Sequence, residues 1–205
     1  MKMEVEKSVR QYCTTFIAMA LFICSPLTIA SGDSATITGR DHAEILDLVS
    51  RYSFAWDNRD VDAFAALWTD DAEAAWFTNG AEKPAVSVRG IDEIRPLVAM
   101  RSMKFAEKGL ITKHTMPNSA VTAVSYKEAK VTTHAIIFWQ LKGVDLLPRP
   151  VQMGYYYSVV VKDKGEWKFK NRQVFLNGIF NPEEVYDSAF QELGNHDPLG
   201  KEFPR

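Results

Sequence analysis

The sequence predicts an α+β domain in which three helices near the N-terminus pack on a curved, mostly antiparallel sheet. Apolar residues recur at helical spacing in residues 41–71 and 91–108. Residues 110–176 instead alternate between apolar and polar side chains or run apolar, as strands do. Helices followed by a run of strands are typical of this class. A sheet that wraps the helices would form a cone with one open mouth, a shape suited to a small ligand.

The helical segments are bounded by capping and helix-breaking residues. The first helix is predicted to begin near Asp41, and its apolar stripe is interrupted by residues 57–60, Asp-Asn-Arg-Asp. Asp60 is a suitable N-cap for a short second helix. A third helix is predicted over residues 91–108, with Gly109 as its C-terminal stop.

The strands are predicted from apolar alternation and from turn-forming pairs. Two short strands, residues 72–77 and 85–89, flank an Asn-Gly turn. One further short helix is predicted in the polar C-terminal segment, over residues 183–193. Four longer strands follow the third helix, and they are predicted over residues 110–126, 129–141, 151–162 and 166–176.

The first 30 residues have the composition of a secretory signal peptide. Lys2, Lys7 and Arg10 precede an apolar run over residues 16–24, and small residues follow it. We therefore expect a periplasmic or secreted protein, with an uncleaved membrane anchor as the alternative. The predicted organisation is a signal peptide over residues 1–30, a flexible lead-in over 31–40, a domain over 41–180 and a tail over 181–205.

Composition and charge exclude several classes of protein. Both cysteines, Cys13 and Cys24, lie in the predicted signal peptide, so a disulfide scaffold and a thiol nucleophile are excluded for the remainder. The net charge of −2 gives no indication of a nucleic-acid partner, and no stable membrane insertion is expected after signal removal. No glycine-rich phosphate loop is present, and no cofactor is expected.

Five segments, taken together and in their order along the chain, carry a resemblance to a known family. They are YSFAWDNRD over residues 52–60, LWTDDA over 67–72, GIDEI over 90–94, HTMPN over 114–118 and GEWKFKNR over 165–172. Over roughly residues 41–178 the chain resembles the SnoaL-like members of the NTF2-like superfamily, and within it the scytalone dehydratase-like branch. The resemblance implies a cone-shaped, cystatin-like roll.

The resemblance also implies a site. In the dehydratase-like branch an aspartate at the end of the first helix orients one of two strand-borne histidines, which acts as base and acid in the elimination of water. Asp57, His114 and His134 stand in the matching places, and Trp56 and Trp76 stand near the places of two tyrosines. The superfamily also contains cyclases, isomerases, epoxide hydrolases and non-catalytic members, so the resemblance leaves the reaction open.

The residue types themselves also favour an acid–base site. His114 shares a predicted strand face with Met116 and Asn118, which combines apolar lining with polar groups. His134 lies among apolar residues and is expected to be mostly buried. A carboxylate such as Asp57 beside an imidazole is a recurring arrangement in acid–base catalysis. The structural alternatives are a helix cap for Asp57 and hydrogen-bonded core positions for the histidines.

We therefore expect a cofactor-independent lyase or isomerase that acts on a small hydrophobic cyclic substrate. The alternatives are a non-catalytic binding protein and an interaction module with a filled interior. No metal is expected, although an aspartate and two histidines could form a two-histidine, one-carboxylate site. A homodimer or homotrimer is expected through the outer face of the sheet. The expected ligand-lining residues are Tyr52, Trp56, Trp76, Phe77, Met116, Asn118, Phe138 and Tyr155.

Overall fold

A computed structural model describes residues 36–187 of the 205-residue chain. The predicted signal peptide lies outside the described residues, and so does the second half of the helix predicted over 183–193, of which residues 183–187 are helical. The helices that precede the long strands are α1 (Gly39–Asp57), α2 (Val61–Ala66) and α3 (Ile91–Glu107). The strands are β1 (Trp68–Thr78), β2 (Val86–Arg89), β3 (Leu110–Thr115), β4 (Ser119–Ser125), β5 (Glu128–Leu141), β6 (Arg149–Asp163) and β7 (Glu166–Gly178).

The seven strands of residues 36–187 form one sheet. Its order is β2-β1-β7-β6-β5-β3, and β4 pairs with β5 next to the β3 segment. Only β1 and β7 run parallel, and every other neighbouring pair is antiparallel. The predicted α+β class with a mostly antiparallel sheet is therefore confirmed.

The N-terminus of α1 is joined by hydrogen bonds to strands β6 and β7. Thr38 Oγ1 accepts the N–H of Asp41 at 3.1 Å, and Asp41 Oδ2 accepts the N–H of Thr38 at 3.0 Å, which is a capping box. Asp41 Oδ1 also accepts hydrogen bonds from Lys162 Nζ at 2.6 Å and Trp167 Nε1 at 3.0 Å. The helix accordingly begins two residues before Asp41, and its cap is tied to β6 and β7.

The strand predicted over residues 110–126 is two strands in the structure, so this prediction was wrong. Pro117 lies between β3 and β4 and has no N–H to give to a ladder. Both strands pair with β5, where Thr115 faces Ile136 and Ser119 faces Thr133. The break places Asn118 outside β3, so it does not continue the strand face that carries His114.

The core between α1 and the sheet encloses a buried cation. Arg172 is 1% exposed, and its guanidinium carbon lies 3.9 Å from the ring centroid of Tyr52, 4.6 Å from that of Tyr156 and 4.4 Å from that of Phe169. Its guanidinium nitrogens have no hydrogen-bond partner within the described residues. Burial lowers the pKa of Arg172 and raises that of both tyrosines. The ring faces are therefore the main compensation for the buried charge.

The segment after β7 folds back over the domain. Gln152 Nε2 donates to the carbonyl of Ile179 at 2.6 Å, and the hydroxyl of buried Tyr186 donates to Asp145 at 2.6 Å. These contacts hold Phe180 over the open edge between α3 and the sheet. Among the described helices, none has both the length and the apolarity needed to cross a membrane.

Candidate active site

The end of α1 meets strand β3 through one carboxylate. Oδ1 of Asp57 lies 2.7 Å from Nδ1 of His114, and Oδ2 accepts the backbone N–H of His114 at 2.8 Å. Thr112 donates its hydroxyl to Oδ1 at 3.1 Å. The side chains of Asp57 and His114 are only 8% and 7% exposed. Asp57 therefore points into the domain, and the C-cap of α1 is Asn58.

These hydrogen bonds define the tautomer of the imidazole. An ionised carboxylate can only accept, so neutral His114 donates from Nδ1 to Asp57 and keeps a lone pair on Nε2. The indole of Trp56 packs edge-on against the imidazole, with ring centroids 5.8 Å apart. A neutral imidazole held in this way can accept a proton at Nε2, and the neighbouring carboxylate stabilises the resulting cation.

His114 lines a cavity of about 90 Å³ between α3 and the inner face of the sheet. Its walls are mainly aromatic and apolar, and they include Trp56, Trp76 and Trp139. Thr112, the hydrogen-bond donor to Asp57, also lines it. The cavity therefore brings a candidate base next to flat apolar surfaces.

A second cavity of about 450 Å³ adjoins the first and lies between α3 and residues 180–183. Arg101, Phe105 and Phe180 line both cavities, so these three side chains form the partition between them. Pockets for small ligands usually measure about 300–1,000 Å³. The inner cavity alone is below this range, so a substrate at His114 would extend past the partition into the outer cavity.

His134 lies on the other face of the sheet, so the expectation that it shares the pocket was wrong. Successive residues of a strand point to opposite faces. Ala135 and Ile137 of β5 are buried against the core, which places His134 and Phe138 on the outer face. His134 is exposed instead of buried. Asp57 and the two histidines therefore form neither one catalytic site nor one metal site.

The neighbours of His134 are other residues of the outer face and the β3–β4 connection. Its imidazole packs on the ring of Tyr155 with centroids 4.6 Å apart, and Nδ1 lies 3.3 Å from Nδ2 of Asn118. Tyr155 in turn stacks on Tyr157. No group of His, Cys, Asp and Glu side chains within residues 36–187 is arranged to hold a metal ion.

The residues expected to line the ligand cavity divide into three groups. Trp56 and Trp76 line the inner cavity. Tyr52 lies in the core against Arg172, and Met116 is partly buried against the core without lining the cavity. The remaining four do not line the cavity, so the expectation was wrong for Phe77, Asn118, Phe138 and Tyr155. The ring of Phe77 stacks on that of Phe175 instead.

Two polar residues of the site were not singled out from the sequence. Thr112 was recognisable, because it lies two residues before His114 and shares its strand face. Arg101 gave no signal, since α3 carries charged residues around much of its circumference and the sequence does not show which of them faces the sheet. Their positions add a hydroxyl beside Asp57 and a cation at the partition.

The chain belongs to the SnoaL-like domain family, which matches residues 38–173. The resemblance to SnoaL-like proteins seen in the sequence is thereby confirmed. Curated protein sequences give no match.

Three of the similar structures illustrate the range of the fold. A protein proposed to be a scytalone dehydratase from Novosphingobium aromaticivorans is 22% identical, with a TM-score of 0.54 over 69% of this chain and 85% of that one. ActVI-ORFA from Streptomyces coelicolor is 18% identical, with a TM-score of 0.56 over 65% and 95%. An NTF2-like protein with a cystatin-like fold from N. aromaticivorans is 20% identical, with a TM-score of 0.55 over 74% and 88%. At these identities the similarity concerns the fold.

Proposed function

We propose that this SnoaL-like domain is a cofactor-independent lyase or isomerase that moves a proton on a small cyclic substrate. The observation that supports it is the 2.7 Å contact between Asp57 and Nδ1 of His114 in the wall of an aromatic cavity. In this proposal His114 carries the proton and Asp57 orients it. Membership of the SnoaL-like family and the fold shared with a proposed scytalone dehydratase are consistent with such chemistry.

The proposed reaction begins at a carbon next to a carbonyl group. Nε2 of His114 takes a proton from that carbon, and the C–H electron pair forms an enolate whose charge lies on the carbonyl oxygen. The Asp57 carboxylate stabilises the imidazolium. In a lyase the enolate then expels hydroxide from the adjacent carbon, and the proton on Nε2 leaves with it as water. In an isomerase the same proton returns to a different carbon.

A single imidazole has to accept and return the proton, because His134 is on the outer face of the sheet. The proton and the leaving group must therefore lie on the same side of the substrate ring. Trp56, Trp76 and Trp139 supply the flat walls that would hold such a ring against the imidazole. Acid–base assistance of this kind accelerates reactions by roughly 10²–10⁴-fold.

The proposal is tested by exchange of carbon-bound hydrogen for deuterium. Purified protein in D₂O is incubated with 2-tetralone or 3-oxocyclohexane-1-carboxylate, and exchange next to the carbonyl is followed by NMR. We expect exchange above the buffer rate in the wild type, loss of it in His114→Gln, and wild-type exchange in the control His134→Gln. Binding of both ketones without catalysed exchange, or full exchange by His114→Gln, would contradict the proposal and favour the non-catalytic alternative.

We also propose that the protein acts in the periplasm or outside the cell. The support is the basic head, apolar centre and small-residue end of residues 1–30. Expression of the full chain followed by mass spectrometry of the periplasmic protein tests this. Loss of about 30 N-terminal residues is expected, whereas an intact chain retained in the membrane fraction would contradict it.

A further inference from the structure

Arg101 brings a positive charge to the partition between the two cavities. It lies in α3, is half-buried, and lines both the inner cavity beside His114 and the outer cavity. Its side chain has no hydrogen bond and no ion pair with any of the residues 36–187. Burial lowers its pKa, although a guanidinium remains charged at neutral pH. A partly desolvated cation without an anion is unfavourable, so an anionic partner would be stabilising.

The other arginines of residues 36–187 all have a partner, which sets Arg101 apart. Five of them pair with carboxylates, one donates to a backbone carbonyl and one is enclosed by aromatic rings. In this order they are Arg40, Arg51, Arg89, Arg95 and Arg149, then Arg59, then Arg172. Arg101 differs from all of these because the space in front of its side chain is a cavity.

The outer cavity is positively charged. Within residues 36–187, its lining includes Arg101, Lys104 and Lys108 but only one acidic side chain, that of Glu183. Glu183 pairs with Lys108, so the lining retains the charges of Arg101 and Lys104. A cleft lined by one sign of charge attracts ligands of the opposite sign.

We propose that the ligand of this site is a cyclic, mostly apolar carboxylic acid and that Arg101 binds its carboxylate where the two cavities meet. The guanidinium offers parallel N–H donors that match a carboxylate. The ring lies against the tryptophans of the inner cavity, which directs the end opposite the carboxylate toward His114. The part of this proposal that concerns the end of the ligand near His114 rests on the proposed function. The part that concerns the carboxylate does not, because its binding to Arg101 requires no turnover.

The experiment compares each carboxylate with its neutral amide. Benzoate, benzamide, 2-naphthoate and 2-naphthamide are titrated into the protein, and binding is followed by tryptophan fluorescence and calorimetry. We expect each carboxylate to bind about tenfold or more tightly than its amide, the scale of a charge-assisted hydrogen bond. Arg101→Gln should remove this preference with little effect on the amides, and Arg101→Lys should keep part of it.

The matched control is Arg95→Gln. Arg95 lies in the same helix, is exposed and pairs with Asp62, so its loss changes the net charge equally without touching either cavity. The carboxylate preference should persist in Arg95→Gln. The proposal is overturned if the wild type shows no preference or binds no carboxylate at millimolar concentration, if Arg101→Gln keeps the preference, or if Arg95→Gln loses as much.

Failure of this proposal is distinguishable from failure of the proposed function. His114→Gln should retain the preference for carboxylates, because the imidazole is not the anion site. If Arg101→Gln loses the preference but the wild type catalyses no exchange, the anion site stands and the acid–base function fails. If the wild type catalyses exchange but Arg101→Gln keeps the preference, the acid–base function stands and the carboxylate site at Arg101 fails. Thermal melting of each variant confirms that folded protein is being compared.

Discussion

Asp57 contacts His114 twice, through the imidazole Nδ1 at 2.7 Å and through the backbone N–H at 2.8 Å. One carboxylate therefore fixes both the orientation of the ring and the position of strand β3 against the end of α1. Thr112 holds the same carboxylate from the strand. The residues that would perform chemistry are thus also residues that join the helix to the sheet.

Replacing Asp57 with asparagine should affect activity more than stability. The backbone N–H and the ring of His114 bind different oxygens of Asp57, and an amide replaces one of these two acceptor oxygens with a donor nitrogen. We expect the rate of deuterium exchange to fall by roughly 10²–10⁴-fold and the free energy of unfolding to fall by about 1–3 kcal/mol. The ¹⁵N chemical shifts of the imidazole should report a changed tautomer, which a purely structural role would not require.

Asp62→Asn is the control for this change, because Asp62 is exposed and pairs only at the surface with Arg95. It should change the free energy of unfolding by less than about 1 kcal/mol and leave exchange intact. Unchanged ring shifts and exchange in Asp57→Asn would show that the carboxylate does not orient His114.

The buried cation at Arg172 should be replaced better by methionine than by lysine. Lysine keeps the charge but has a compact, strongly hydrated ammonium that cannot spread over the rings of Tyr52, Tyr156 and Phe169. Methionine removes the charge and fills a similar volume. We expect Arg172→Lys to lower the free energy of unfolding by roughly 3 kcal/mol at pH 7 and Arg172→Met to lower it less.

The pH dependence of these two variants supplies a second measurement. Burial disfavours a charged ammonium, so the folded-state pKa of the new lysine would lie below its unfolded value of about 10.4. Its stability relative to Arg172→Met should therefore rise as the pH rises toward 10. Urea titrations at neutral and alkaline pH measure this, and a lysine variant as stable as the methionine variant at pH 7 would contradict the expectation.

The fold was predictable from the sequence, but the side of the sheet that His134 occupies was only partly so. Residues 136–139 of β5 are all apolar, Ile-Ile-Phe-Trp, so alternation in this half of the strand does not identify the inner face. Lys130 shares its strand face with His134 and was a signal for the outer side. A one-residue change of phase moves every side chain to the other face. The pairing of β5 with its neighbours decides the phase, and that pairing depends on residues far away in sequence.

The position of Asp57 was easier to predict, because the apolar stripe of α1 and the Asp-Asn-Arg-Asp break together placed it at the end of the helix. The size of the cavity could not be predicted. It depends on how Phe105 and Phe180 pack across the mouth, and these side chains come from a helix and from the segment after the last strand.

Asp41 should make stability depend on acid pH. The hydrogen bond from Lys162, followed by those from Thr38 and Trp167, holds the pKa of Asp41 well below its usual range. A carboxyl whose folded-state pKa is lowered stabilises the fold above its unfolded pKa of about 3.9, and this contribution is lost as the pH falls below that value. Asp41→Asn should therefore be less stable than the wild type at pH 7, and the difference should narrow below about pH 4.

Urea denaturation of both proteins between neutral pH and pH 3 measures this difference. Asp47→Asn is the control, because Asp47 lies in the same helix but is exposed and pairs only with Arg51. It should follow the wild type across the range. If the difference in free energy of unfolding between Asp41→Asn and the wild type stays constant down to pH 3, titration of Asp41 does not contribute to the pH dependence of stability.

Gly154 of β6 should be hard to replace, because the neighbouring strand β7 passes directly against it. A Cβ at this position would lie 1.9 Å from the carbonyl oxygen of Phe175 in the neighbouring strand, so alanine requires β6 and β7 to separate. We expect Gly154→Ala to lower the free energy of unfolding by about 3–5 kcal/mol, the scale of a severe clash within the core. Gly39→Ala is the control, since nothing lies within 4 Å of its Cβ position and α1 begins there. That change should be neutral or stabilise by up to about 1 kcal/mol. Thermal and urea unfolding distinguish the two, and a Gly154→Ala protein as stable as Gly39→Ala would show that β6 and β7 do not approach this closely.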